Sequence, residues 1–417
     1  MQIQLIEFSA ENYGIFKKKA TFSMLARKND KHTFESGGEY LLKTSLIYGP
    51  NASGKSSLLE AFRLMRAGIL NSANIGESPG LPYKPFLGDT IAPTAPTFFE
   101  LVFSAIGNYP GVYRYSFSFY SDHIVSEALV KILPSGSEEI CILRNEQEFQ
   151  TGGVFSNEHL LTKRTRKEAL FLSTAAVNNS EFALNVVEAL RNVNIISAVT
   201  HKRYQEFTIR KFKESPDFKK KVLQYLKIAD FCITDGLTEE IDVQTIDIKD
   251  DADGFSANKR VEKGNVLLLK HPIFSEDNSK IDDFTIPLNL ESTGTQKFLS
   301  ILGPIVDTLT NGKILFVDEF DNSLHPLLTK FIIDLFESSE TNTKNAQLIV
   351  TTHDTSLLSY KDGFIRDQFW FTEKNEFGGA RLFSLAEFVE LRNDTEFSKK
   401  YLEGRFGALP FIESVEN

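Results

Sequence analysis

Residues 49–56 combine glycines, a lysine and hydroxyl side chains at a spacing that can hold phosphate groups. The segment G-P-N-A-S-G-K-S fits the pattern G-x-x-x-x-G-K-[ST], in which backbone N–H groups surround phosphate oxygens, the lysine reaches the β- and γ-phosphates and the last hydroxyl ligates Mg²⁺. It follows an apolar run and opens a helical pattern, as such a loop requires. We therefore predict an ATP and Mg²⁺ site here, against the alternative of a chance glycine-rich turn. Its residues are Gly49, Pro50, Asn51, Ala52, Ser53, Gly54, Lys55, Ser56 and the following Ser57.

Two adjacent carboxylates end a second apolar run. Residues 314–317 are Ile, Leu, Phe and Val, and Asp318 and Glu319 follow them directly. The carboxyl ends of buried strands are where α/β sheets place ligands. We predict that Asp318 holds magnesium through its water shell and that Glu319 acts as the general base on the attacking water. The alternative is a pair of solvated acids at the end of a strand.

A histidine follows a third apolar run, at residues 347–350. The letters T-T-H-D at residues 351–354 place His353 just after the expected strand. It is predicted to lie at the same sheet edge, within reach of a γ-phosphate to which it donates a hydrogen bond. The alternative is a stray histidine, since the chain has seven.

Small residues precede the helical pattern at residues 298–309. The letters E-S-T-G-T-Q run from Glu291 to Gln296. Hydroxyl and glycine residues at a helix N-terminus can bind an anion, but a simple helix cap explains them equally well.

These motifs require strands and helices in a definite order. Periodicity predicts strands at 3–8, 20–25 and 44–48, a helix at 55–67, and antiparallel strands between 97 and 143. From residue 291 onward helices and strands alternate, which favours a mostly parallel sheet. We therefore predict an α/β fold in which a mixed or parallel core sheet is joined by an antiparallel β subdomain and a helical insertion. The expected domains are an N-terminal lobe at 1–154, the helical insertion at 155–230 and a C-terminal lobe at 231–417.

Composition narrows the class of protein. The chain has 417 residues, 41% of them hydrophobic, and a formal net charge of −10, which argues against a surface that coats itself with nucleic acid. No apolar run approaches the length of a membrane helix, so a cytoplasmic location without membrane contact is expected. Cys141 and Cys232 both lie in apolar surroundings and are predicted to be buried.

One local exception to the acidic charge is a set of basic residues in the expected insertion. Such a run of charges is usually a solvated helix face, and the alternative is a path for nucleic acid. The set comprises Lys163, Arg164, Arg166, Lys167, Lys202, Arg203, Arg210, Lys211, Lys213, Lys219, Lys220 and Lys221.

The order of the motifs resembles that of stand-alone ABC ATPases related to SMC, RecF and OLD proteins. Within them, the chain is similar to RloA-like and AbiL-like ATPases of prokaryotic defence loci, also through F-V-D-E-F-D-N-S-L-H-P at 316–326 and Y-L-E-G-R-F-G-A-L-P at 401–410. The resemblance implies that Ser292, Thr293, Gly294 and Gln296 replace the L-S-G-G-Q signature and face the γ-phosphate held by the opposite protomer. Thr295 stands where a second glycine is usual.

The same resemblance implies an interface segment, the D-loop, at residues 321–325 with Asp321, Asn322 and Ser323. A helix N-cap at 321–323 is the local alternative, and both can hold. Neither a Q-loop glutamine nor an aromatic residue that stacks on adenine can be placed, and no nuclease domain is expected.

The leading hypothesis is a slow or regulated ATPase that switches a separate effector protein in bacterial anti-phage defence. Two protomers would sandwich two ATP molecules, and the resemblance leaves room for higher oligomers. The effector would be encoded nearby and could cleave RNA or DNA. The alternative is a DNA-binding ATPase of recombination and repair. The nucleotide-binding subunit of a membrane transporter is a weaker third reading, because neither a Q-loop nor a full signature is found.

Overall fold

The computed structural model describes residues 1–74, 80–197, 201–229, 231–251, 254–322, 324–359, 364–388 and 397–409. Within these ranges the helices are α1 (Lys55–Asn71), α2 (His159–Thr162), α3 (Phe171–Val177), α4 (Glu181–Arg191), α5 (His201–Glu214), α6 (Pro216–Ile228), α7 (Thr293–Asn311), α8 (Pro326–Glu337) and α9 (Phe397–Leu402). No helix among the described residues is long and apolar enough to cross a membrane.

Strands make up much of the remaining described chain. In order they are β1 (Gln2–Glu11), β2 (Ala20–Ser23), β3 (Thr33–Ser36), β4 (Glu39–Leu42), β5 (Thr44–Tyr48), β6 (Thr97–Ile106), β7 (Gly111–Phe119), β8 (Ile124–Ile132), β9 (Glu138–Asn145), β10 (Glu148–Thr151), β11 (Asn194–Ile196), β12 (Asp235–Asp251), β13 (Gly254–Phe274), β14 (Lys280–Pro287), β15 (Ile314–Val317), β16 (Gln347–Thr351), β17 (Phe369–Lys374) and β18 (Ala380–Ser384).

A six-stranded sheet in the order β11-β15-β16-β5-β17-β18 forms the core of the fold. Strand β5 is parallel to both of its neighbours, β16 and β17, and β15 is parallel to β16. Every residue of β5, β15 and β16 is buried, which explains why these strands are continuous apolar runs rather than alternating ones. Their carboxyl ends therefore meet at one edge of the sheet, at Tyr48, Val317 and Thr351.

Helix α1 packs between this sheet and a seven-stranded antiparallel sheet in the order β10-β9-β8-β7-β6-β1-β2. Its Phe62 ring lies 4.5 Å from the ring of Phe316 on β15 and 5.3 Å from that of Phe8 on β1. Burying such a ring stabilises the fold by about 1.5–3 kcal/mol. The helix that starts at the phosphate-binding loop is thus fixed on both sides, and the predicted α/β class with an additional antiparallel sheet is confirmed.

The chain divides into two compact units. Unit 1 comprises Met1–Ile195, Thr308–Asp321 and Ile332–Asn417, and unit 2 comprises Ile196–Asp307 and Asn322–Phe331. The expected domain limits at residues 155 and 231 do not coincide with this division. Helices α3 and α4 pack on α1 and on the antiparallel sheet. Phe182 of α4 is buried, and its ring centroid lies 5.1 Å from that of Tyr113 on β7.

Two local expectations differ from the structure. Cys141 is buried as predicted, but Cys232 is exposed, so that prediction was wrong. Cys232 has a φ of 50° in the connection after α6, and its side chain is exposed although its neighbour Ile233 is buried. Between β16 and β17 the described residues form only 3₁₀ turns at Thr355–Ser359 and Arg366–Gln368, not the α-helix that strict alternation would give.

Candidate nucleotide site

The loop between β5 and α1 has the backbone conformation of a phosphate cradle. Gly49, Ala52 and Gly54 have positive φ values of 151°, 59° and 119°. A Cβ on Gly49 would lie 2.4 Å from the carbonyl oxygen of Thr372, so only glycine fits there. Thr372 of β17 also holds the loop through its hydroxyl, which lies 2.6 Å from the hydroxyl of Ser53. Sequence reasoning missed Thr372, because nothing in the motif indicates which neighbouring strand touches the loop.

Replacing Gly49 with alanine should therefore damage the loop directly. The added methyl group must displace the Thr372 backbone, and we expect a loss of about 1–3 kcal/mol in unfolding free energy together with weaker ATP binding. Chemical denaturation and calorimetry measure these two quantities. The matched control is Gly136→Ala, which also has a positive φ, 81°, but has nothing within 4 Å of the added Cβ. If Gly49→Ala cost no more than Gly136→Ala, the close approach to Thr372 would not constrain the loop.

Lys55 begins α1 and is folded back over the loop. Its ammonium group donates hydrogen bonds to the carbonyl oxygens of Gly49, at 2.6 Å, and Pro50, at 3.0 Å. Burial lowers the pKa of Lys55 to about 8, while the nearby carboxylates of Asp318, Asp321 and Glu319 favour its charged form. The lysine predicted to bind phosphate thus lies beside both acids predicted to follow β15.

A single hydroxyl organises the two adjacent acids. Thr351, the last residue of β16, donates from its hydroxyl to the Asp318 carboxylate at 2.6 Å and accepts from the backbone N–H of Glu319 at 2.8 Å. Asp318 is half-buried, and Glu319 is exposed with a φ of 50°. The left-handed backbone at Glu319 is costly for a residue that is not glycine, and such strain is common at functional sites. Thr351 therefore fixes the direction in which the two carboxylates leave the strand.

His353 lies at the same edge, two residues after β16. Its backbone N–H is shared by both carboxylate oxygens of Asp321, at 3.2 and 3.3 Å. Partial burial and the positive charge of Lys55 lower the pKa of His353, although the three neighbouring carboxylates oppose that shift. An uncharged imidazole can still donate one hydrogen bond to a phosphate oxygen.

The geometry suits magnesium bound together with a nucleotide. Ser56 on the first turn of α1 would supply a protein ligand, and Asp318 would hold the ion through its water shell. Mg²⁺ commonly keeps several waters and takes further ligands from substrate phosphates. The described residues contain no group of three or more histidine, cysteine or acidic side chains arranged to hold a metal without a nucleotide.

The segment expected to replace the signature starts α7 in unit 2. The hydroxyl of Ser292 accepts from the backbone N–H of Thr295 at 3.1 Å and lies 2.8 Å from the Thr295 hydroxyl, so a true N-cap is present. Ser292 and Thr293 are exposed, whereas Thr295 is 6% exposed. Thr295 therefore contributes a hydroxyl to the cap, which glycine could not do. The N-terminus of this 19-residue helix is exposed and can bind an anion.

The expected D-loop is not a helix N-cap. Helix α8 begins at Pro326, and its cap is His325, whose ring nitrogen Nδ1 accepts from the N–H of Leu327 at 3.2 Å. Asp321 instead accepts from His353. Asn322 is exposed, and its carbonyl accepts a hydrogen bond from Lys297 on α7. Ser323 lies outside the described residues.

A cavity of about 610 Å³ in unit 1 is lined by residues from three segments, at 17–20, 86–89 and 373–382. The first of these segments directly follows Phe16, whose ring would lie 3.0 Å from a Cβ on Gly54, and the third directly follows Thr372, which lies against Gly49. Phe86 is buried in the wall, while Phe377 at the β17–β18 turn is 74% exposed. Charged residues complete the lining, namely Lys17, Lys18, Lys19, Asp89, Glu373 and Arg381.

The basic residues of the expected insertion are divided between the two compact units. Those at 163–167 belong to unit 1 and those at 202–221 to unit 2. Several are matched by acids: Lys219 lies 2.8 Å from Asp235, and Lys213 lies 3.6 Å from Glu240. Neutralised cations release fewer counterions from nucleic acid, which favours the solvated-face interpretation for these positions.

Comparison with known proteins gives a matching family and similar solved structures. A family model described as "AAA domain, putative AbiEii toxin, Type IV TA system" matches residues 45–359. Among solved structures, the chain is similar to an SMC head bound to the C-terminal winged-helix domain of ScpA, with 13% identity, a TM-score of 0.46, and 91% of this chain and 97% of that chain covered. It is also similar to the recombination mediator RecF with ATP, with 11% identity, a TM-score of 0.34, and coverage of 84% and 94%. Comparison with curated proteins finds no match.

Proposed function

This chain belongs to the family described as "AAA domain, putative AbiEii toxin, Type IV TA system", and from that premise we propose that it is a regulated ATPase that acts as a switch. The observation that carries the proposal is the meeting of Lys55, Asp318, Glu319 and His353 at the edge formed by β5, β15 and β16. One cation, two acids and a histidine around a phosphate cradle can bind a triphosphate and activate water.

Each residue has a distinct task in this proposal. The loop N–H groups and Lys55 hold the β- and γ-phosphates, and Ser56 and Asp318 hold the magnesium that neutralises phosphate charge. Glu319 accepts the proton of the attacking water as general base. His353 donates a hydrogen bond to the γ-phosphate as charge develops on it, and Asp321 fixes the backbone of His353.

The ATP site is proposed to be completed by a second copy of the chain. Ser292, Thr293, Gly294 and Gln296 of one protomer would face the γ-phosphate held by the loop of the other. The exposure of Ser292 and Thr293 at the start of α7 supports this arrangement. ATP then holds the dimer closed, and hydrolysis removes the phosphate that joins the protomers.

We assign this cavity to the base and ribose of ATP. Two of its three lining segments directly follow Phe16 and Thr372, which lie against the loop, and its volume is in the range of small-ligand pockets, about 300–1,000 Å³. The exposed ring of Phe377 is the proposed stacking partner of adenine.

Replacing Phe377 with alanine should weaken ATP binding about 5- to 150-fold, because stacking of a base on an aromatic ring contributes about 1–3 kcal/mol. Binding of inorganic tripolyphosphate, which lacks a base, should stay unchanged. Calorimetry with both ligands checks this. The control is Phe274→Ala, a similarly exposed ring in unit 2. Equal losses for ATP and tripolyphosphate would place the base elsewhere.

The output of the switch is proposed to be a separate effector protein of anti-phage defence, as in the RloA-like and AbiL-like ATPases that the chain resembles. Affinity purification from the native operon, with and without ATP, tests this role. A defined protein partner without nucleic acid would support it. A dimer that carries only DNA in the presence of ATP would contradict it and favour a role in recombination and repair.

A further inference from the structure

Glu291, the residue just before the Ser292–Gln296 segment, is held by a histidine from a different element. Its carboxylate oxygen Oε1 lies 2.7 Å from Nε2 of His271 on β13, and both side chains are largely buried, at 10% and 15% exposure. The His271 ring stacks on Phe284 of β14, with centroids 5.3 Å apart and planes at 27°. The imidazole is thus fixed in the sheet while its nitrogen holds the start of the helix segment.

The backbone of Glu291 is held from the helix side as well. The side-chain amide of Gln296 donates to the Glu291 carbonyl at 2.8 Å and to the Asn289 carbonyl at 3.3 Å. Together with the Ser292 cap, these bonds make residues 291–296 one rigid turn. A shift of the Glu291 carboxylate therefore moves the N-terminus of α7.

Strand β13 carries His271 and is much longer than the strand on its other side. It has 21 residues and pairs with β12 from Asp235↔Lys270 to Asp251↔Gly254, whereas β14 covers only Leu268–Phe274. Beyond β14 the ribbon is two-stranded over the fourteen β13 residues 254–267, which extend about 48 Å at about 3.4 Å per residue. A displacement of this ribbon reaches His271 along a continuous hydrogen-bonded strand.

We propose that His271 and Glu291 are positioning residues that couple the β12–β14 sheet to the Ser292–Gln296 segment. This inference rests on the proposed function, in which that segment closes the ATP site of a second copy. Neither residue touches the nucleotide of its own protomer in this scheme. The pair sets the orientation in which the α7 N-terminus meets the γ-phosphate, so a displacement of the β12–β14 sheet changes closure of the dimer.

The test compares ATP affinity with ATP-dependent dimerisation in the full-length protein. His271→Phe keeps the ring stacked on Phe284 but removes the donor, and we expect the dimer dissociation constant to rise about tenfold, as for loss of a hydrogen bond to a charged group. ATP affinity, measured at protein concentrations below dimerisation, should stay within about twofold of wild type, since the phosphate-binding loop is untouched. His271→Gln supplies an amide donor and should restore dimerisation.

Glu291→Ala and the double variant His271→Phe/Glu291→Ala complete a double-mutant cycle. A coupled pair predicts that the double variant is no worse than either single one. Additive losses, normal dimerisation of His271→Phe, or an equal loss of ATP affinity would overturn the inference. If neither wild type nor Glu319→Gln dimerises with ATP, the proposed function fails and the inference fails with it. If wild type dimerises and His271→Phe dimerises with the same dissociation constant, only the coupling is refuted. If His271→Phe does not fold, Glu291→Gln against Glu291→Leu gives the same comparison, with dimerisation retained only by glutamine.

Discussion

Glu319→Gln is expected to lower ATP turnover by about 10²- to 10⁴-fold while ATP binding persists, because glutamine has the same shape but cannot accept the proton of the attacking water. The backbone of this position should tolerate the change, since the Glu319 side chain is exposed and its N–H bond to Thr351 is kept. The variant should therefore accumulate as an ATP-bound dimer, which single-turnover kinetics and size-exclusion chromatography with light scattering would detect.

The matched control for this change is Glu340→Gln, an exposed acid beyond the end of α8 that should leave turnover at the wild-type rate. Normal turnover by Glu319→Gln would show that another group is the base. Asp318 would then be the first candidate, because its charge acts most strongly on Lys55 among the three neighbouring acids.

Lys55→Ala is expected to reduce ATP affinity by at least about 100-fold, since two or more hydrogen bonds from a charged donor contribute about 1.5–3 kcal/mol each. The protein should still fold, because alanine has the highest helix propensity and the substitution removes a buried positive charge. Isothermal calorimetry measures the affinity, and denaturation checks the fold. The control is Lys84→Ala. The Lys84 backbone carbonyl accepts a hydrogen bond from the Gly14 N–H, and this substitution keeps that carbonyl. Retained affinity in a folded Lys55→Ala protein would remove this lysine from the phosphate site.

The same lysine predicts how wild-type ATP binding depends on pH. Burial lowers the pKa of Lys55 to about 8 in the free protein, so above that pH the ammonium loses its proton. Phosphates favour the charged form, and binding must then take up a proton. ATP affinity should fall as pH rises through 8, by up to about tenfold per unit. Calorimetry in buffers of different ionisation enthalpy measures the proton uptake directly, and affinity independent of pH between 7 and 9.5 would contradict the prediction.

The sequence alone predicts those parts of the candidate site that depend on local residue patterns. The loop at 49–56, the acids after β15 and the histidine after β16 each follow a fully buried strand, and parallel pairing brings strand ends to one edge. The fold class followed from the same periodicity. These features depend on neighbours in the chain, which a single sequence displays.

Features that depend on distant contacts could not be predicted in this way. The sequence shows Thr351 only as part of T-T-H-D. Its hydroxyl bridges Asp318 and the Glu319 N–H only because β16 pairs with β15. The Thr372 contact needs β17 beside β5. A cap at 321–323 was a reasonable expectation, but Pro326 moves the helix start and His325 takes the cap.

The central claim is that each ATP site is built from two copies of this chain, and mixing two inactive variants tests it most directly. Lys55→Ala removes the loop lysine, and Thr293→Glu places a negative charge at the exposed start of α7, where it suits the helix but repels a γ-phosphate. Thr293→Gln is the uncharged control. Each of the two variants alone should be inactive. In an equal mixture, half of the dimers contain one copy of each variant. Each of these mixed dimers holds one intact site out of two, so turnover should be about a quarter of the wild-type rate. A mixture as inactive as its components would contradict it.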